Sequence, residues 1–303
     1  MFETLKNVFR VKEMRRKLLY LIWMIFVIRI GCQIPVPGVD SDFFKQWFSS
    51  NAGDAFNFFD AFTGGSFERM SIFALNITPY ITSSIIIQLL TIAIPALEEM
   101  QRDGEEGRKK MTAITRYVTV GLALFESIAM AIGFGRQGLL VDYNFVNCAI
   151  VVCTLTAGSA FLMWIGERIT EKGVGNGISI VLLFNIVSSL PQDVNTLYTR
   201  FLSNSKNIGS TVLIVLIMLA VTAAMVVFVI ILQDGERRIP VQYSKKMVGR
   251  KLVGGQASHI PLKVNTAGVI PVIFASSIMS FPIVIAQFFH PDYTTIGGKI
   301  LMV

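Results

Sequence analysis

The stretch Phe67–Thr91, FERMSIFALNITPYITSSIIIQLLT, changes character halfway along. Its second half, continued to Leu97, is apolar enough for a membrane-spanning helix, which needs about 20 such residues. Its first half is short and amphipathic, with Glu68 and Arg69. Ser66 suits an N-cap and Glu68 the positive end of a short helix, expected to run to about Leu75. Asn76 and Pro79 then permit a new direction, because Pro79 disfavours helical geometry at Thr78. The uncharged half is polar for a lipid-facing helix: Thr82, Ser83, Ser84, Gln88 and Thr91. Two readings stand side by side. The hydroxyls join helix to helix, or they form one wall of an aqueous path for bulky, varied cargo.

The rest of the chain settles the class. Of 303 residues 53% are hydrophobic and 16% charged, with a mean hydropathy of +0.60. Soluble domains carry nearer a quarter charged residues, so this is an integral membrane protein. Seven spans are predicted: about 18–35, 77–97, 117–135, 147–166, 177–190, 211–232 and 267–289. The basic Arg15, Arg16 and Lys17 before Leu18–Ile30 resemble the start of a signal peptide. The run ends in Gln33-Ile34-Pro35-Val36-Pro37 without a small-residue cleavage site, so it is read as a retained first span. Cys32, Cys148 and Cys153 fall in or beside apolar segments and read as small buried hydrophobes. With only two histidines, His259 and His290, a Cys/His metal site is not expected.

Charge sets the orientation. Of the 27 Lys and Arg, 20 lie at the N-terminus or in the loops after spans two, four and six. Six (Lys45, Arg69, Arg136, Arg200, Lys206 and Lys299) lie on the other side, and Arg29 lies within span one. The N-terminus is therefore expected in the cytoplasm, and seven spans would leave the C-terminus outside. The outer segment 36–76 holds Phe43, Phe44, Phe58, Phe59, Phe62 and Phe67, with Gly64-Gly65 as a break. It is either an interfacial belt or a piece folded back into the protein.

Three further features bear on function. GERITEKGVGNGIS, Gly166–Ser179, alternates Gly173, Gly175 and Gly177 but matches neither phosphate-binding pattern. It reads as a tight hairpin between spans four and five. Arg29 and Glu126 are charges inside spans, costly there and often functional; Arg29 lies near the end of its span, within reach of snorkelling. The loop Gln233–Asn265 carries seven basic residues against two acids and reads as an exposed hairpin. Positive-inside charge accounts for some of these. So many on one protrusion (Arg237, Arg238, Lys245, Lys246, Arg250 and Lys251 among them) suggest docking to an acidic surface, RNA or protein.

FERMSIFALNITPYITSSIIIQLL, GERITEKGVGNGIS, ERRIPVQY and NTAGVIPVIFASSIMSFP (Asn265–Pro282) together resemble the SecY family of bacterial protein-conducting channels, in order along the whole chain. The resemblance implies an all-α polytopic fold of ten spans in two inverted halves of five. Residues 1–190 would be the first half, with 191–303 supplying spans six and seven of the second. It implies that about 58–75 is a plug before span two, with Phe62, Phe67, Arg69 and Met70 in it. Thr82, Gln88 and Asn265 resemble the polar cluster at a lateral gate. The implied partners are the small membrane subunits SecE and SecG, the SecA motor, the ribosome, signal sequences with their nascent chains, and lipids. The implied setting is the bacterial cytoplasmic membrane.

A channel for unfolded chains must still hold back ions, and a ring of aliphatic side chains does both by dewetting when closed. Ile77 and Ile81 are four apart, on one helix face; Ile178 and Leu182 repeat the spacing, and Ile273 opens span seven beside Pro271. These five also match the family's pore ring, with Leu182 where an isoleucine is expected. The expected function is a passive channel with no catalytic residues and no cofactor. The alternative is a secondary transporter for a small solute, which shares broken helices and inverted halves but needs charged midplane residues. An intramembrane enzyme would need a catalytic constellation inside the spans, and none is found.

Overall fold

A computed structural model of the chain describes residues 11–51, 60, 63–136, 138–199, 208–241, 246–248, 251–253, 258–266, 268 and 275. The chain forms two compact units, Met1–Gln192 with Phe274–Val303, and Asp193–Ile273. In the first lie α1 (Lys12–Gly31), α2 (Ser41–Asn51), α3 (Thr78–Ala93), α4 (Pro95–Arg102), α5 (Gly104–Arg136), α6 (Phe145–Lys172) and most of α7 (Gly177–Leu197). In the second lie α8 (Ile208–Asp234) and strands β1 (Glu236–Val241), β2 (Lys246–Val248), β3 (Lys251–Val253) and β4 (Ser258–Lys263).

Among the described residues α5, α6, α7 and α8 are each long and apolar enough to cross a membrane. The expected second span is broken: α3 and α4 meet at a bend of 104°. Ile94 is extended (φ −115°, ψ 111°) and Pro95 opens α4. Proline supplies no amide hydrogen and pushes the residue before it out of helical geometry. The helix therefore stops at Ala93, and Leu97 belongs to the exposed, charged α4. The predicted seventh span, 267–289, falls almost wholly outside the described residues.

The short helix expected over Ser66–Leu75 is not formed. Residues 64–77 run as consecutive tight turns, with Met70 N–H to Phe67 O, Ala74 N–H to Ser71 O and Asn76 N–H to Phe73 O at 2.8 to 2.9 Å. Met70 (φ 45°) and Asn76 (φ 53°) sit in the left-handed region, which a continuous α-helix excludes. Two bonds tie this segment to the end of α1: Val36 N–H to Met70 O and Ile72 N–H to Ile34 O, each 3.0 Å.

The described part of the segment 36–76 folds back against the helices, with Phe43 left exposed. Phe44, Phe67, Met70 and Leu75 are all at most 1% exposed, in one cluster with Met130 and Phe134 of α5 and Leu155 of α6. Phe44 meets Phe134 edge-on at 5.0 Å and Phe67 at 6.0 Å, the geometry aromatic quadrupoles favour. A second cluster joins Ile28 and Cys32 to Phe73, Leu162, Ile165, Ile169 and Val181. Gly158 makes this packing possible: a Cβ there would collide with the Ile72 carbonyl.

The all-α expectation is corrected in the second unit. β1 pairs antiparallel with β4, from Glu236↔Lys263 to Val241↔Ser258, and β2 with β3. Outside lipid, an extended ladder satisfies the backbone of this Val- and Ile-bearing loop without a helical apolar face.

Candidate functional site

The site is assembled where the turns of 64–77 enter α3 beside α6 and α7. Irregular backbone at membrane depth is tolerated where protein covers it, and Thr63, Ser66, Ser71 and Asn76 are all buried. The acceptor expected from Ser66 comes instead from Asp60. Its Oδ1 takes the Glu68 N–H at 3.0 Å and the Thr63 hydroxyl at 2.9 Å. Burial pushes the Asp60 carboxyl up from its ordinary range, against the pull of these donors. Arg69 donates to Gln33 Oε1, while Phe67 and Met70 are buried. Phe62 lies outside the described residues.

Ile77 is fully buried at the entry to α3, and Ile81 follows one turn later, half-buried, its N–H on Ile77 O at 3.1 Å. A Cβ placed on Gly166 of α6 would lie 3.3 Å from Ile77 Cδ1 and 3.4 Å from Ile178 Cγ1. Ile77 and Ile178 are thus neighbours across one small residue. Leu182 is half-buried one turn along α7; Ile273 lies outside the described residues. The α6–α7 link is tight, with Gly175 left-handed (φ +72°) and the Gly177 N–H held by Thr170 Oγ1 at 2.9 Å.

Next to Ile178 opens a recess of about 530 Å³ lined also by Tyr80, Thr112, Thr170 and Asn176. Arg116 of α5 closes its rim on Glu167 of α6 through two contacts, Nε to Oε1 at 2.9 Å and Nη2 to Oε2 at 2.8 Å. This two-pronged geometry fixes orientation as well as distance.

The hydroxyls of α3 divide. Ser83 is fully buried and pairs with Thr119 of α5; Thr91 turns back on its own helix at Ile87 O, 2.7 Å. Thr82 and Ser84 are half-buried and Gln88 exposed. A second cross-helix pair joins Ser127 of α5 to Thr156 of α6 at 2.8 Å, beside the half-buried Glu126.

Arg29 is engaged within the protein. Its Nη2 donates to Phe184 O at 2.8 Å and to Asn185 Oδ1 at 2.9 Å, and Asn185 Nδ2 donates to Asn76 Oδ1 at 2.9 Å. Neither Asn185 nor Asp60 stands out in the sequence reading. The available signal for Asn185 was a lone amide in the apolar run VLLFNIV. Asp60 lies too far from Glu68 for any capping pattern to connect them.

A family model described as SecY matches residues 71–303. The chain belongs to the SecY family. It is 43% identical over 300 residues to a protein translocase subunit SecY of Halalkalibacterium halodurans, covering 97% of this chain and 68% of that relative. It is 44% identical over 279 residues to the protein of the same name from Pseudomonas aeruginosa, covering 92% and 62%. The chain thus spans about two thirds of the length of these curated relatives. Its fold is similar to that of a solved protein-conducting channel, with a TM-score of 0.59, 17% identity, and coverage of 90% of this chain and 59% of the other.

In this SecY-family chain the remaining predicted residues fall in the second unit. Arg237 and Arg238 are exposed on β1, in register with Leu262 and Pro261. Lys246 and Lys251 open β2 and β3, in register with Val253 and Val248. Lys245 and Arg250 lie outside the described residues. Asn265 is exposed just beyond β4, its Oδ1 accepting the Gly268 N–H at 3.0 Å.

Proposed function

We propose that this chain is the central subunit of a protein translocation channel, which moves unfolded secretory proteins across the bacterial cytoplasmic membrane and inserts membrane proteins into it. The observation that carries the reading is the burial of 64–77, a non-helical segment seated among the helices of a SecY-family fold. About 58–75 acts as the plug, with Phe62, Phe67, Arg69 and Met70 in it. Ile77, Ile81, Ile178, Leu182 and Ile273 form the constriction, and Thr82, Gln88 and Asn265 tune the lateral gate. Residues 1–190 are the first half of the channel and 191–303 part of the second, with the N-terminus cytoplasmic. SecE and SecG complete the membrane assembly, and SecA or the ribosome docks on the basic loop 233–265. The channel is passive and not an enzyme; the motor or the ribosome supplies the driving force.

A solute transporter would need charged midplane residues, and the candidate within the spans is Glu126 of α5, set beside the neutral Ser127–Thr156 pair. Arg29 is already engaged by neutral acceptors on α7. The full-length protein, reconstituted with its membrane subunits and a motor, should render a secretory precursor protease-resistant inside vesicles. Saturable uptake of a small labelled solute without precursor protection would overturn the reading.

A further inference from the structure

Asn185 touches both ends of the buried turn segment. At the far end its amide holds Asn76, which is left-handed (φ 53°) and 1% exposed. At the near end lies Gly64, also left-handed (φ +67°), so close that an added Cβ would stand 2.5 Å from the Asn185 carbonyl oxygen and 2.9 Å from Ser188 Oγ. Asn185 itself is 2% exposed. Its amide can be oriented only one way: the oxygen accepts from Arg29 and the nitrogen donates to Asn76.

Arg29 stands at the head of this relay. It joins α1 to α7 through one carbonyl and one amide, Phe184 O and Asn185 Oδ1. A charged donor strengthens such bonds, and removing it leaves the part-buried Asn185 oxygen without its donor. We propose that Arg29 and Asn185 are positioning residues that latch the segment 64–77 by both ends to α7, so that it leaves its seat only when the relay breaks. The consequence for gating rests on the plug reading given above; the latch itself does not.

The test uses the full-length protein in lipid nanodiscs and reads hydrogen–deuterium exchange at residues 70–77. Arg29→Met and Asn185→Leu should each speed exchange there about tenfold, the loss of a charge-assisted or buried bond, with α6 residues 153–169 unchanged. Arg29→Lys, which keeps charge and donors, should stay within about threefold of the parent. Gly64→Ala, which crowds the latch from the other end, should reproduce the acceleration. Unchanged exchange at 70–77, or an equal rise throughout α6, overturns the latch. The same variants should raise ion leak and pass precursors with defective signals. Faster exchange with neither effect also overturns it as the release step. If the parent protein exports no precursor at all, the channel reading fails, and the exchange result still decides the latch.

Discussion

Ser83 and Thr119 show what a single hydroxyl contributes between two helices in lipid. Water does not drive such helices together, and cross-helix hydrogen bonds average about 0.6 kcal/mol. Ser83→Ala and Thr119→Val, singly and together, should give a coupling of roughly that size in a double-mutant cycle on unfolding. Additive effects would mean the contact is not energetically shared. Asp60 makes a prediction of opposite character. Burial raises its carboxyl above the ordinary range, so the folded turn binds a proton more tightly than the unfolded chain does. Its contribution is complete below the unfolded value and fades as pH rises through the higher folded one. Protection of the Glu68 amide should therefore decline across that interval, and Asp60→Asn should remove the dependence while keeping the acceptor. A parent protein with pH-independent protection at Glu68 would refute this.

At the scale of elements, the spans α5, α6 and α8 were legible because uncharged apolar runs as long as Thr211–Leu232 have few other uses. The turns of 64–77 were not. An amphipathic stretch beginning Ser66-Phe67-Glu68 has the local marks of a helix, and what overrides them is tertiary: strand-like bonds to Ile34 and Val36 and left-handed Met70. The Arg29–Asn185–Asn76 relay was illegible for the same reason, since its members lie 109 and 156 residues apart. The basic loop reads as an exposed hairpin in the sequence, and β1 and β4 pair along it. Arg237→Glu with Arg238→Glu and Lys251→Glu should weaken binding of SecA or the ribosome, with a steep salt dependence in the parent, while membrane insertion of the protein survives. Salt-insensitive binding untouched by the reversals would reduce the loop to a topology signal.

For the whole molecule, sealing is where the proposed constriction would show itself. Ile77 and Ile178 meet across Gly166, and a dewetted ring there would exclude ions while yielding to a chain. Ile81→Asn together with Ile273→Gly in the full-length channel should increase ion leak and ease passage of precursors with poor signals. Cysteines at Ile81, Ile178 and Ile273 should crosslink to a stalled chain; crosslinks from the opposite helix faces instead would place the axis elsewhere. The bend at Pro95 bears on the surrounding bilayer. α3 has 16 residues, and at 1.5 Å per residue it reaches about 24 Å, against a hydrocarbon core of about 30 Å. The chain then turns through 104° into α4, whose Glu98, Glu99 and Arg102 favour a headgroup setting. Where α3 faces lipid directly, its apolar length falls several ångströms short of that core, a hydrophobic mismatch. Short-tailed phospholipids should relieve it, so unfolding in vesicles should be slowest at acyl lengths below those of the average bilayer.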